Sequence, residues 1–460
     1  HIRSTTMKRK TFIRLILALL VISAQLGVAS AQLRQKVITR VFWQDRETQK
    51  LSYADLLTTN RWLIRRGEVA GFPTLDAKKQ SLVQMKHSDG VLLVGVRDSD
   101  NGEVQSGWVS IDTGVVKEPH GNHSHWRYNR KPTAGVVTLD DDQGNPAHVY
   151  VYDRQFYVAN DKKNGFTRAN PTDLLSRRET PATFSRGGGN HITLAAVENS
   201  LVYSTWIDGG GPHAGQVDVV NLKAPSEVAY SFKLPSGVIH GATHNSGRVF
   251  FAPADGVCWV DADLKLQESG ETVSVNHIPL GTDPETDQPL RTGAFENMRN
   301  WVLFSTGSAD KSALCLIDAA ADSPKLIKVN IDVADGLKLM TPKCVLSLGR
   351  RYAFLFQDRT DADSDIPEKL TIVELDPNRD RDFKDARLKA TISVGPSKVE
   401  GHHGHHAITF DAFGRHAVFT EPGTGMLNVM ALPSMRIVAR FRVGGVPHAI
   451  QAVGASEHFH

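Results

Sequence analysis

Beyond residue 75 the chain carries almost no helical periodicity. Short runs rich in Val, Phe, Tyr and Ile follow one another, some alternating and some continuously apolar, cut by clusters of Gly, Asp, Asn and Pro. That is an all-β pattern. The clearest unit runs from His406-Ala-Ile-Thr-Phe through Arg415-His-Ala-Val-Phe-Thr and Leu427-Asn-Val-Met-Ala-Leu to Arg436-Ile-Val-Ala-Arg-Phe-Arg-Val. It reads as four antiparallel strands joined by turns, one blade of a β-propeller. Similar openings recur at His191-Ile-Thr-Leu, His240-Gly-Ala-Thr and Gly293-Ala-Phe, with others near Phe72, Ala134 and Thr341. Their spacing of roughly 50–60 residues suits four-stranded blades with long loops.

The last opening, His448-Ala-Ile-Gln-Ala-Val, has no blade behind it. What it lacks stands at the other end, in Arg40-Val-Phe-Trp-Gln-Asp, Lys50-Leu-Ser-Tyr-Ala-Asp and Trp62-Leu-Ile-Arg-Arg. Pairing N- and C-terminal strands in one blade would close the ring and remove its sheet edges. Eight blades are expected, or seven if the 72–133 segment merges with its neighbour.

Ahead of the first strand, Met7-Lys-Arg-Lys leads to the apolar run Leu15 to Ile22 and to Ala29-Ser-Ala. A basic start, a short apolar stretch and an A-x-A site make a secretory signal peptide. Residues 1–31 are therefore expected to be vector residues and a cleaved leader, and 32–460 the propeller domain. The apolar run is too short to span a bilayer comfortably, so an exported protein without membrane insertion is expected. Of the 53 Lys+Arg, Arg3, Lys8, Arg9, Lys10 and Arg14 lie in the leader, which leaves a nearly neutral domain against 50 Asp+Glu. No field attractive to nucleic acid remains.

Export permits a disulfide, but Cys258, Cys315 and Cys344 are odd in number and form no CxxC or CxxCH. Buried, inert thiols are expected, with a single disulfide as the alternative. The mixed-sign run Asn378-Arg-Asp-Arg-Asp-Phe-Lys-Asp reads as solvated loop.

Histidine changes the picture most. The 19 His outnumber the 8 Tyr and 7 Trp combined, and they gather where blades begin. His120, His123 and His125 precede the blade near Ala134. His191 follows Gly187-Gly-Gly-Asn, and His240 and His244 share one short stretch. His402, His403, His405 and His406 form Gly401-His-His-Gly-His-His. The loop entering a blade sits at the mouth of the central channel, so residues far apart in sequence converge there. Converging neutral imidazoles suit Zn(II), with Cu(II) as the alternative, and Glu296, Glu400 or an Asp could complete the shell. The strand-internal or loop-borne His87, His148, His277 and His416 are not expected to take part.

These stretches resemble the family of AztD, periplasmic zinc metallochaperones. His120-Gly-Asn-His-Ser-His-Trp is similar to the family's HGDHxHW-like loop, and Gly237-Val-Ile-His-Gly-Ala-Thr-His-Asn-Ser-Gly-Arg-Val to its LHGEAxSGxxxAxxCxDGV stretch. Asn190-His191 falls at its His-His pair and Glu400-Gly-His402 at its Asp-Gly-His. The resemblance implies a β-propeller in the periplasm that binds Zn(II) and passes it to the solute-binding protein of a zinc ABC importer. It implies His191, His240 and His402 as ligands, and the His120–His125 loop as a second or gating site. Ala242 stands where the family has glutamate and Pro253 where it has cysteine. The family's acidic, His-rich N-terminal tract is absent from Gln32-Leu-Arg-Gln-Lys, and His244 and His405 are the residues that could replace lost ligands. A monomer without enzymatic activity is expected. The alternatives are an interaction scaffold and a zinc-dependent hydrolase, although no G-x-S-x-G or H-E-x-x-H occurs.

Overall fold

The computed structural model describes residues 36–99, 105–121, 123–223, 227–307, 311–361 and 363–456. The expected leader, residues 1–31, lies outside them, as do residues 32–35 and 457–460. Eight antiparallel sheets stand around one axis. Blade 1 joins Lys36–Asp45, Lys50–Thr58 and Trp62–Glu68 to the last strand, Pro447–Val453, so that the chain's two ends share a sheet. Blades 2 to 8 begin in turn with Gln80–Ser88, Val149–Tyr152, Leu194–Val197, Ala242–Asn245, Glu296–Met298, Leu337–Leu339 and Ile408–Phe410. Segment 72–133 does not merge with a neighbour. Blade 2 is complete, and the hairpin Val116–His120/His123–Arg127 is inserted between its third strand, Ser106–Asp112, and its fourth, Thr133–Asp140.

The core lies between blades, not within one sheet. Among the described residues there are eight apolar clusters, one per interface between neighbouring blades. The cluster holding Val41, Trp43, Val418, Val429 and Ile450 closes blade 8 onto blade 1. A middle strand such as Leu201–Thr205 is buried on both faces, so it reads as a continuous apolar run. Outermost strands such as Arg436–Arg442 touch solvent on one face and alternate. Closure is reinforced by the Thr39 hydroxyl, which donates to the Val453 and Gly454 carbonyls. Beside it the buried Arg40 guanidinium holds Asp55 through two hydrogen bonds of 2.7 and 3.1 Å.

One expectation changes here. The charged run 378–385 is not wholly solvated, because Phe383 is fully buried and stacks on Trp301 of blade 6 at 5.1 Å between ring centroids. All three cysteines are free. Burial pushes the Cys258 and Cys315 thiols up to about 12, so both are inert. No helix among the described residues is long and apolar enough to cross a membrane.

Candidate metal centre

In an antiparallel blade the chain enters its innermost strand at one end of the channel and turns at the other. His148, His191 and His240 stand just before the innermost strands of blades 3, 4 and 5, so three adjacent blades deliver them to one end. Their ring centroids are 4.6 Å apart for His148 and His191, 5.1 Å for His191 and His240, and 6.2 Å for His148 and His240. The Gly187-Gly-Gly approach to His191 runs against blade 4 closely. A Cβ on Gly188 (φ +77°) would lie 2.4 Å from Ser204 Oγ, and one on Gly189 2.2 Å from the Trp206 ring. Only glycine fits there.

Hydrogen bonds set the tautomers. Asp161 is buried, and its Oδ1 accepts from the Ile192 N–H at 3.0 Å while Oδ2 faces His191 Nδ1 at 3.1 Å. A carboxylate only accepts, so His191 carries its proton on Nδ1 and presents a bare Nε2. His240 Nδ1 donates likewise to the Gly293 carbonyl at 3.2 Å, which leaves its Nε2 bare. A proton held on Nδ1 by an acceptor is the usual arrangement behind a metal-ligating imidazole. His148 is set the other way. The Gln84 side-chain oxygen takes the Val149 N–H at 3.2 Å, so its amide nitrogen donates to His148 Nδ1 at 2.9 Å. The His148 proton then sits on Nε2 and is given to His191 Nε2 at 2.9 Å. A cation bound here would replace that shared proton. Burial and the neighbouring His191 and His240 rings hold His148 well below the ordinary histidine range, and burial lowers His240 as well. These two rings are neutral at neutral pH, the state that ligates.

His402 is exposed at the tip of a turn closed by paired Glu400 and His403 backbones, within electrostatic reach of His240. His405 belongs to a neighbouring group at the same end of the channel. Its Nδ1 meets Asp358 at 3.1 Å, and it is an electrostatic neighbour of His403 and His448, whose rings lie 6.1 Å apart. His244 is not at this end. It lies near the exit of its strand, facing Asp153 and Glu198 in the turns of blades 3 and 4. The hairpin of His120, His123 and His125 also belongs to the far end, because it joins a third strand to a fourth instead of opening a blade. His120 and His125 face each other there at 5.3 Å, and nothing is described of the His123 side chain.

Sequence reasoning set His148 aside and did not consider Asp161. The signal for His148 was its place immediately before Val149, the same place in a blade that singled out His191 and His240. Glu296 does not join the histidines, since Lys343 holds it at 3.0 Å in the channel. Among the described residues one group, Asp358, Glu368 and His406, has three potential donor atoms all within 4.8 Å of one another. Its atoms are already committed. His406 donates from Nδ1 to Asp358 at 2.7 Å and from Nε2 to the Gly395 carbonyl at 2.9 Å. Glu368 takes the Arg359 N–H and both the N–H and hydroxyl of Ser397. Burial opposes ionisation of Asp358, but the His406 charge and hydrogen bonds from His405 and His406 outweigh it and hold the carboxyl at about 2. The group is a buried ion pair in which His406, donating from both nitrogens, has no lone pair to offer a cation.

No family model and no curated protein match this chain. A structure of apo AztD from Citrobacter koseri is similar, with a TM-score of 0.62 at 14% identity over 92% of this chain and 100% of that one. A crystal structure of Citrobacter koseri AztD gives 0.63 at the same identity and coverage. Dihydro-heme d1 dehydrogenase NirN in complex with DHE gives 0.54 at 14% identity, over 90% of this chain and 75% of that one. The chain thus has the fold of the AztD structures, a closed propeller of eight blades.

Proposed function

We propose that the protein is an exported zinc carrier that holds Zn(II) at the channel mouth and releases it to a protein acceptor. One observation carries the reading: the rings of His191 and His240 lie 5.1 Å apart beside His148, and Asp161 and the Gly293 carbonyl hold their protons on Nδ1, which leaves both Nε2 atoms unprotonated. Imidazole nitrogens match the hardness of Zn(II), with Cu(II) as competitor. His402 stands exposed above His240. There it supplies a further imidazole that swings with its turn and gives the cation a path out. The acceptor is the solute-binding protein of a zinc ABC importer, and the compartment the periplasm. Both follow from the resemblance and from the leader expected in residues 7–31. The ion is cargo, and the protein works as a monomer without catalysing a reaction.

The test is metal analysis of the purified protein followed by competition with a chromophoric zinc chelator near neutral pH. Tight binding of one zinc is expected. His191→Ala and His240→Ala should each weaken it by about tenfold or more, since losing even the partner behind a ligand costs that much. Absence of tight binding, or unchanged affinity in both variants, overturns the reading.

A further inference from the structure

Below the histidines the channel opens into a cavity of about 500 Å³, lined at one end by His148 and His240 and deeper down by Lys86, Glu296 and Lys343. A second cavity of about 410 Å³ continues from it and shares Gln84, Lys86, Glu296, Thr341 and Lys343. The charges do not cancel. Glu296 holds Lys343 at 3.0 Å and also accepts the Cys344 N–H at 3.2 Å, so one carboxylate serves two lysines, Lys343 by direct contact and Lys86 only through its field. Lys86 makes no hydrogen bond or ion pair with any described residue, yet it projects into both cavities. It stands within electrostatic reach of Lys343 and Glu296, whose opposing effects leave Lys343 the larger, and of the His148 ring. Two of the other polar groups are engaged elsewhere: the Tyr152 hydroxyl donates to the Leu194 carbonyl, and the Asn297 amide to the Thr243 hydroxyl and the His244 carbonyl.

An ammonium left without an acceptor in a confined channel is costly unless an anion joins it. The demand grows when the histidines carry a divalent cation. Imidazoles add no negative charge, Asp161 stands behind His191, and Glu296 belongs to Lys343. Cation and ammonium would then share one cavity whose described lining holds a single carboxylate, Glu296, already in contact with Lys343. We propose that this cavity is a binding site for a small carboxylate anion, one oxygen held by Lys86 and the other reaching a metal ion on the histidines. The metal-facing half rests on the zinc reading above; the Lys86 half does not.

Succinate is the probe, in two arms. In the first it is titrated calorimetrically into metal-free protein, where binding is expected and Lys86→Met should weaken it by about tenfold, the worth of a hydrogen bond to a charged group. Lys86→Arg, which keeps the charge, should retain it. In the second, protein loaded with Co(II) is followed by its visible spectrum, and succinate should shift the bands in the parent but not in Lys86→Met. Cobalt affinity in that variant should hold or rise, because a nearby positive charge has been removed. Failure of succinate to bind metal-free protein, unshifted bands in protein that has taken up cobalt, or equal binding by Lys86→Met overturns the proposal. Binding to metal-free protein with no uptake of cobalt would instead refute the zinc reading and leave the lysine site standing.

Discussion

The three imidazoles at the channel mouth differ in tautomer, and the difference follows from what stands behind each ring. Asp161 and the Gly293 carbonyl keep protons on His191 and His240 Nδ1, whereas the Gln84 amide keeps the His148 proton on Nε2. For His148 to ligate, Gln84 must turn its oxygen to the ring and give up the Val149 N–H. Gln84→Glu removes that conflict, because a carboxylate can accept from both. Zinc affinity should rise by about tenfold, the lower end of what a partner behind a ligand contributes, as read by chelator competition; unchanged or weaker binding would refute the tautomer assignment. Asp161→Asn acts in the opposite sense. One oxygen cannot serve both the Ile192 N–H and His191 Nδ1, so affinity should fall by about 10–100-fold while the fold persists. His191 and His240 were legible in the sequence because each opens a blade. Asp161 was not, since its role depends on a short turn of blade 3 meeting the loop into blade 4, which no local pattern records.

At the level of elements, legibility followed burial. The middle strands are apolar on both faces because each faces a neighbouring blade, and such runs stand out in any sequence. The inserted hairpin was taken for a blade entry, since a turn rich in histidine looks the same whether it precedes a first strand or a fourth. Phe383 was hidden for a different reason. Its neighbours Asp380, Arg381, Asp382 and Lys384 dominate the local charge pattern, yet the ring folds under them onto Trp301. Phe383→Ala should therefore destabilise the protein by about 3–5 kcal/mol, as for a fully buried aromatic ring, measured by denaturant unfolding. Zinc affinity should not change, because the contact lies between blades 6 and 7, away from His148, His191 and His240 in blades 3 to 5. A surface-like cost below about 0.5 kcal/mol would mean that the run is solvated after all.

For the whole molecule, closure of the ring was readable because the two ends of the domain hold complementary parts of one blade. Which end of the channel a histidine reaches was harder to read: His240 and His244 are four residues apart and face opposite mouths. The ring also buries histidines in a way that ties its stability to acidity. Burial is the first cause of the lowered values of His87, His403 and His448, each brought to about 4, and the Nε2 atoms of His87 and His448 have no partner among the described residues. Their folded values lie below the unfolded one of about 6.5, so between about pH 6.5 and 4 the unfolded chain takes up protons that the folded one refuses. Stability from these rings is thus present above about pH 6.5 and is lost as the pH falls. His406 has the opposite sign. Burial disfavours its charge, but Asp358 raises it, so its contribution is complete below the unfolded value and fades as the pH climbs through the raised one. With His148, His240 and His244 lowered by burial as well, six rings stand against one, and the metal-free protein should melt at a lower temperature at pH 5 than at pH 7, by about 2 °C or more. His448→Asn, which cannot take up a proton, should flatten that slope. A melting temperature that stays level from pH 7 to 5, or an unaltered slope in His448→Asn, would show that the rings are not held neutral by the closed ring.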